Sequence, residues 1–252
     1  MLAPRRPAAT ATSSPAGALR LPSLCAICHG WGQDRVCAAC LSRYATPVPR
    51  CSRCALPVPP AAPVCGACLA QAPAFDAAVA CVDYRAPWDQ LIADFKFHDA
   101  LDLAPVFAAA IAGAVASRAA NGDPETLLPE LVLPVPLGAG RLRERGYNQA
   151  WELAQRVARR LGLAADARLL LRLRETKHQL ALPPEQRAGN VRGAFAVEPR
   201  RRAEVAGRRV ALVDDVMTTA STAGEASRVL KQAGAASVAV WVFARTPPPG
   251  ED

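Results

Sequence analysis

Two adjacent carboxylates and a cluster of hydroxyls lie close together in the segment VALVDDVMTTAST, residues 210–222. Asp214 and Asp215 follow four apolar residues that predict a buried strand. The next five residues after Met217, TTAST, contain four hydroxyls and precede a helix-like segment. Carboxylates accept hydrogen bonds from sugar hydroxyls or bind Mg²⁺, and the free N–H groups at a helix start bind phosphate. The segment therefore predicts a site for a sugar phosphate with Mg²⁺.

The sequence of this segment is also open to other interpretations. An ordinary Asp-Asp turn followed by a Thr/Ser helix cap needs no ligand, and the segment alone leaves that alternative open. A P-loop NTPase is disfavoured because GxxxxGK[ST] does not occur in the chain. A nucleophilic hydrolase is disfavoured because the three histidines, His29, His98 and His178, are not accompanied by GxSxG.

Eight of the nine cysteines form four CxxC pairs within residues 25–68. Two such pairs supply the four thiolates of a tetrahedral structural zinc site. Sequential pairing predicts two zinc sites, and the spacing leaves a crossed pairing open. The predicted ligands are Cys25, Cys28, Cys37 and Cys40 in one site, and Cys51, Cys54, Cys65 and Cys68 in the other. About 45 residues rich in proline and cysteine cannot build a stable core, so metal binding would supply folding energy.

After the cysteines, strand-like runs alternate with helix-like segments. This alternation predicts an α/β domain with a parallel sheet whose ligands bind at the carboxyl ends of the strands. The interval at residues 137–146 is interpreted as a loop, and residues 147–162 as an amphipathic helix. The predicted organisation is a disordered tail at 1–22, a cysteine-rich module at 23–72, the α/β domain at 73–246 and a tail at 247–252.

Charge and hydropathy narrow the class of protein. The net charge is +8, and residues 141–209 contain 17 Lys/Arg against 7 Asp/Glu. This concentration suits an anionic ligand such as phosphate or nucleic acid, although a solvated arginine-rich surface has the same composition. The uncharged stretch 103–117 is shorter than the roughly 18–20 residues of a membrane helix and predicts a buried helix, so no membrane span is expected. With no secretory signal, the cysteines are expected in the reducing cytoplasm.

The segment 210–222 resembles the signature of type I phosphoribosyltransferases, which bind phosphoribosyl pyrophosphate. Before it come the cysteine pairs, DFKFH (94–98), LPVPLGAGRLRERGYNQA (133–150) and TKHQLALPPEQRAGNVRGAF (176–195). In this order the motifs resemble the ComF family, which is associated with late competence and DNA uptake. The resemblance covers residues 23–245. It implies a type I phosphoribosyltransferase-like domain preceded by a double zinc ribbon.

The resemblance also implies roles for individual residues. Asp214 and Asp215 would hold the ribose hydroxyls and Mg²⁺. The remaining predicted substrate contacts comprise a 5′-phosphate loop, a pyrophosphate-facing loop, a mobile hood and a basic element. The 5′-phosphate loop would consist of Thr218, Thr219, Ala220, Ser221 and Thr222. The loop facing the pyrophosphate would contribute Arg141 and Arg145, and it would be fixed by Asn148 together with Tyr147 and Gln149. The mobile hood would contribute Gln179, Arg187 and Asn190, and the basic element would contribute Lys96.

One residue departs from the family pattern, because glycine is common where this chain has Ala220. If the loop needs a left-handed backbone at this point, alanine costs about 1 kcal/mol. If it does not, the change has no consequence.

Two classes of function follow. The first is an enzyme that transfers a phosphoribosyl group with loss of pyrophosphate to an acceptor that no segment identifies. The second is an accessory factor that binds single-stranded DNA through the zinc module and the basic face, with DNA-uptake or recombination proteins as further partners. The residues of the module suited to DNA are aromatic or basic, namely Trp31, Tyr44, Arg35, Arg43, Arg50 and Arg53.

Overall fold

The computed structural model describes residues 22–121, 128–174 and 191–248. The strands in these ranges are β1 (Ser23–Leu24), β2 (Trp31–Gly32), β3 (Ala77–Asp83), β4 (Leu131–Pro134), β5 (Ala164–Ala165), β6 (Leu170–Arg172), β7 (Phe195–Val197), β8 (Arg209–Met217) and β9 (Ser237–Arg245). The α-helices are α1 (Ala38–Tyr44), α2 (Gly66–Ala70), α3 (Trp88–Phe97), α4 (Ala104–Ala120), α5 (Ala139–Arg145), α6 (Gln149–Leu161) and α7 (Ser221–Gln232).

A five-stranded parallel sheet forms the centre of the fold, in the order β3-β9-β8-β4-β5. The predicted parallel α/β architecture is therefore confirmed. β8 lies in the middle, where Leu212 is in register with Leu133 of β4 and with Val240 of β9. The carboxyl end of β8 thus meets the ends of both neighbouring strands at one edge of the sheet.

The apolar run before the two carboxylates is buried on both faces of the sheet. Ala211 and Val213 join the core formed with α3, α4 and α6, whereas Val210 and Leu212 join the core on the α7 side. Alternate residues of a strand point to opposite faces, so a strand covered on both sides needs a continuous apolar run. The sequence VALV meets that requirement.

Helix α4 packs in the first of these cores. Its Phe107 ring stacks on Phe243 of β9 at a centroid distance of 4.0 Å, and Ile111 is fully buried. Within the described ranges, the stretch Leu101–Ala120 is 20 residues long with mean hydropathy 1.6, enough by length and composition to cross a membrane. The sequence estimate was shorter because it stopped at the charged residues Asp102 and Arg118. Core helices of folded domains meet the same criterion.

The cysteine-rich segment packs directly against the sheet domain. The Trp88 indole N–H at the start of α3 donates to the Tyr44 carbonyl at 2.8 Å. Arg50 and Asp83, both largely buried, form an ion pair at 2.8 Å between the segment and the end of β3. Domain boundaries at residues 22, 72 and 246 stay a prediction.

Candidate functional site

The turn after β8 places the hydroxyl cluster at the start of a helix. Helix α7 begins at Ser221, with Ala220 as its N-cap residue. Ala220 has φ 62° and ψ 3°, which is the left-handed region. The Thr219 and Ser221 hydroxyl oxygens are 2.9 Å apart. The position where the family commonly has glycine thus adopts the backbone that favours glycine, and alanine is strained there.

The two carboxylates differ in their surroundings. Asp215 is only 2% exposed, and its Oδ1 accepts a hydrogen bond from the Val216 amide at 2.8 Å. The Lys96 ammonium nitrogen lies 3.1 Å from Asp215 Oδ2, and the described residues direct no aligned hydrogen-bond donor at that buried oxygen. Asp214 accepts from the Asp215 amide at 2.9 Å and reaches the cavity surface. The pair therefore keeps acceptor capacity for a ligand or cation.

The electrostatics of the pair also favour a cationic or hydroxyl ligand. Burial and then the negative charge of Asp215 hold the pKa of Asp214 well above its ordinary value, while Lys96 opposes the shift. Two close carboxylates with one lysine leave excess negative charge, which a divalent cation would neutralise. Oxygen ligands of this kind fit Mg²⁺.

A cavity of about 430 Å³ joins these groups. It is bounded by the ends of β8 and β9, the turn into α7, the end of α3 and helix α5. The residues of the predicted site that line it are Lys96, Arg141, Arg145, Asp214, Asp215, Thr218, Thr219, Ala220, Ser221 and Thr222. The fold thus gathers segments separated by more than a hundred positions in the sequence.

The segment interpreted as a loop at residues 137–146 contains helix α5, so that prediction was wrong for Ala139–Arg145. The glycine-containing sequence suggested a loop, but Gly146, at φ 78°, ends the helix in a left-handed conformation. The Arg145 guanidinium lies 5.1 Å from the centre of the Phe97 ring. Its Nη1 also donates to the Gln149 side chain. Arg145 is therefore held at the cavity wall from two sides.

The residues after Gly146 anchor this helix from behind the cavity. The Tyr147 hydroxyl donates to the Phe95 carbonyl. Asn148 Nδ2 donates to the Val135 carbonyl at 3.2 Å, and its Oδ1 accepts from the Ala150 amide at 3.0 Å. Among the described residues, Asn148 is not part of the cavity lining. Its observed contacts cap α6 and fix the segment.

Several cavity residues were not predicted from the sequence. Arg172 of β6 lines the cavity and lies over the Phe195 ring at 5.3 Å. Phe97 also lines it and is 61% exposed. Several basic residues lie near residue 172 in the sequence, but only the fold shows that Arg172 reaches the cavity. The predicted hood residues Gln179, Arg187 and Asn190 lie outside the described residues.

The cysteines gather in two groups with sequential pairing. Within each group the four sulfurs lie within 4.8 Å of one another. Cys28 and Cys37 have sulfurs 3.8 Å apart, and Cys54 and Cys65 have sulfurs 3.5 Å apart. Zn–S bonds of about 2.3 Å in a tetrahedron require sulfurs about 3.8 Å apart, so both groups fit zinc.

Backbone amides further prepare these sites for a cation. The Cys37 amide donates to Cys25 Sγ, and the Cys65 amide donates to Cys51 Sγ, each at 3.3 Å. Burial alone would raise the pKa of Cys25 and Cys51, but hydrogen bonds from backbone N–H groups lower it to about 6 and about 7. One thiolate in each group is thus favoured before any ion binds.

Comparison with known proteins agrees with these observations. A family model described as a phosphoribosyl transferase domain matches residues 148–251. DNA utilization protein YhgH of Salmonella typhi is 34% identical over 235 residues, covering 90% of this chain and 99% of that protein. Competence protein F of Haemophilus influenzae is 34% identical over 224 residues, covering 88% of this chain and 96% of that protein.

A solved structure also resembles part of the chain. It is the glutamine phosphoribosylpyrophosphate amidotransferase from B. subtilis, at 21% identity and a TM-score of 0.33, covering 52% of this chain and 24% of that one. This likeness is too weak to support a conclusion. The long matches to the competence and DNA utilization proteins, together with the phosphoribosyl transferase domain and the paired cysteine groups, show that the chain belongs to the ComF family.

Proposed function

We propose that the protein binds phosphoribosyl pyrophosphate with Mg²⁺ in the cavity beside Asp214 and Asp215 and transfers its phosphoribosyl group. One observation supports this above all. A carboxylate pair, in which Asp215 is buried and the pKa of Asp214 is held above its ordinary value, shares a cavity of about 430 Å³ with a hydroxyl-rich helix start. The first arrangement suits ribose hydroxyls and a cation, and the second suits a phosphate.

Each part of the substrate has a matching surface. The N–H groups at the start of α7 and the hydroxyls of residues 218–222 would bind the 5′-phosphate. Asp214 and Asp215 would accept hydrogen bonds from the ribose hydroxyls and hold Mg²⁺, which would neutralise the leaving pyrophosphate. Arg141 and Arg145 would face the pyrophosphate from α5 and stabilise its charge as the bond to the anomeric carbon breaks.

Calorimetric titration with phosphoribosyl pyrophosphate and Mg²⁺ tests the proposal. Wild type is expected to bind, and Asp215→Asn is expected to lose binding although it removes a negative charge. Glu144→Gln is the matched control, because Glu144 lines the same cavity on α5. The Glu144→Gln variant is expected to bind the ligand as well as wild type or better, because it lacks a negative charge that repels the anionic ligand. A wild-type protein that does not bind this ligand contradicts the proposal.

A specific observation favours a second function, binding of single-stranded DNA. A second cavity of about 240 Å³, between the cysteine-rich segment and α3, is lined by Arg43, Arg85 and Tyr44 among others. The Arg43 guanidinium lies 5.3 Å from the Tyr44 ring centre, and Trp31 on the same segment is 77% exposed. Arginines and exposed aromatic rings are the groups that bind phosphates and stack bases of single strands.

Fluorescence anisotropy with a labelled single-stranded oligonucleotide tests this second function. Binding should weaken steeply as the salt concentration rises. The variant that combines Trp31→Ala with Arg43→Ala should bind the oligonucleotide more weakly than wild type. Leu69→Ala is the control, since Leu69 is also exposed on the module but is not basic or aromatic. Equal affinity in all variants would contradict DNA binding by this segment. The relatives' names, competence protein F and DNA utilization protein, support a role connected with DNA. The DNA-uptake or recombination partners and the cytoplasmic location stay predictions.

A further inference from the structure

Arg245, the last residue of β9, joins the second cysteine group to the turn after β8. It is 5% exposed. Its Nε donates to the Cys54 carbonyl at 3.0 Å. Its Nη1 donates to the Met217 carbonyl at 2.9 Å and to the Thr218 carbonyl. Thr218 is the first residue of the hydroxyl-rich loop, so one guanidinium spans the two sites.

The shape of the guanidinium makes this connection rigid. A guanidinium is planar, and its donors point in fixed directions, whereas a lysine ammonium is a single point on a flexible stem. A buried charge is costly unless its hydrogen bonds are satisfied. Nη1 also donates to the Thr246 carbonyl at 2.8 Å, so four backbone carbonyls accept hydrogen bonds from the Arg245 guanidinium. A shift of the Cys54 carbonyl would therefore disturb the loop carbonyls.

The position of the Cys54 carbonyl depends on its cysteine group. The Cys54 sulfur belongs to the second group, and the turn is closed by a hydrogen bond from the Ala55 amide to the Cys51 carbonyl at 2.8 Å. Ala55 itself has φ 59° in the left-handed region. Coordination of one metal ion by the four sulfurs of the second group would hold this strained turn in place.

The first cysteine group has different attachments. Arg35, within that group's span, forms an ion pair with Asp102 at 2.6 Å just before α4. Helix α1, which contains Cys40, is joined to α3 by the Trp88 hydrogen bond to Tyr44. These contacts connect the first cysteine group to the α3–α4 side of the sheet, and they do not involve the turn before α7. The two groups can therefore be compared as matched sites.

We propose that Arg245 is a positioning residue through which the second cysteine group, but not the first, sets the conformation of the 5′-phosphate loop. The inference rests on the proposed function, because it assigns the loop to a phosphate. Closure of the second group would orient the Met217 and Thr218 carbonyls and thereby the amides that follow. Opening of that group would loosen the loop and weaken phosphoribosyl pyrophosphate binding.

The first experiment changes the arginine in the zinc-loaded full chain. Arg245→Lys keeps the charge but cannot span both sites, and we expect its affinity for phosphoribosyl pyrophosphate to fall about tenfold. Arg118→Lys is the control. Arg118 also joins the cysteine-rich segment to the sheet, donating to the Ser52 carbonyl at 3.1 Å and to the Ala78 carbonyl at 2.7 Å. Equal losses in the two variants would overturn the proposal.

The second experiment leaves Arg245 in place, because a buried arginine also supports the fold. Hydrogen–deuterium exchange is measured over residues 217–222 without ligand in Cys65→Ala and in Cys37→Ala. Cys65 and Cys37 are equivalent, each being the N-cap residue of a short helix in its own group. We expect exchange to rise about tenfold in Cys65→Ala and to stay at the wild-type rate in Cys37→Ala.

The outcomes of the two experiments separate the two proposals. Wild-type exchange in Cys65→Ala, or equal increases in both cysteine variants, would overturn the coupling through Arg245. Failure of wild type to bind phosphoribosyl pyrophosphate would contradict the proposed function. The exchange comparison needs no ligand, so it decides the coupling in either case.

Discussion

Replacing Ala220 by glycine should stabilise the protein, which is unusual for a substitution that removes a methyl group. Ala220 has φ 62° at the N-cap of α7, and no side chain caps that helix end through this residue. An L-residue in the left-handed region costs about 1–2 kcal/mol. Glycine avoids this cost, although its freer unfolded chain costs about 0.5–1 kcal/mol. The expected net gain is therefore about 0.5–1 kcal/mol.

The same helix supplies a matched control. Ala233 lies at the C-cap of α7 with φ −79° and ψ −5°, a backbone that suits alanine. Ala233→Gly relieves no strain and should lower the free energy of unfolding by about 0.5–1 kcal/mol. The two substitutions remove the same methyl group at opposite ends of one helix. Their effects should therefore have opposite signs.

Urea unfolding of the zinc-loaded protein measures both changes in the free energy of unfolding, and thermal unfolding measures the accompanying changes in melting temperature. For a chain of 252 residues, a gain of about 0.5–1 kcal/mol should raise the melting temperature by about 1–4 °C. Phosphate affinity should not fall in Ala220→Gly, because the backbone already has the conformation that glycine favours. If Ala220→Gly destabilises the protein as much as Ala233→Gly does, the strain assigned to the left-handed alanine is wrong.

Three further predictions concern the carboxylate pair, a helix cap and the metal sites. Burial and then the negative charge of Asp215 raise the pKa of Asp214 above its ordinary value of 3.8. The proton on Asp214 therefore stabilises the folded state fully below pH 3.8, and this stabilisation is lost as the pH rises through the folded-state pKa. Asp214→Asn should therefore raise the free energy of unfolding at pH 7 and flatten this loss, and an unchanged pH profile in urea unfolding would count against the shift. Asn148→Ala should cost about 1 kcal/mol, since it removes the cap on the Ala150 amide, and an unchanged urea midpoint would contradict that role. Wild type should contain two zinc ions per chain by elemental analysis and Cys40→Ala one, whereas a loss of both ions would show that the groups are not independent.

Local patterns in the sequence were sufficient to predict several features of the fold. The VALV run predicted a buried strand, and the structure places all four residues in the core. The apolar face of residues 147–162 and the following Gly162 predicted α6 and its end, where Gly162 has φ 68°. These features depend on short-range periodicity and backbone preference, which the chain expresses within one or two turns.

Contacts between distant segments could not be predicted in the same way. Lys96 was only a weak candidate in the sequence, yet α3 brings its nitrogen to 3.1 Å from Asp215 Oδ2. Arg172 was one of many basic residues until β6 placed it in the cavity. Helix α5 was missed because its glycines suggested a loop. No local spacing specifies which charged residues the sheet and helices will gather.

The sequence by itself determined the types of chemistry available: four CxxC pairs for metal, two carboxylates at the end of a strand, and a hydroxyl-rich helix start. It left the pairing of the cysteines and the backbone of Ala220 open. The tertiary structure decided both, with sequential cysteine groups and a left-handed alanine. It alone revealed Arg245 between Cys54 and Thr218, residues far apart in the chain. A buried guanidinium finds its carbonyl partners only when the whole fold has closed around it, because those partners come from separate segments.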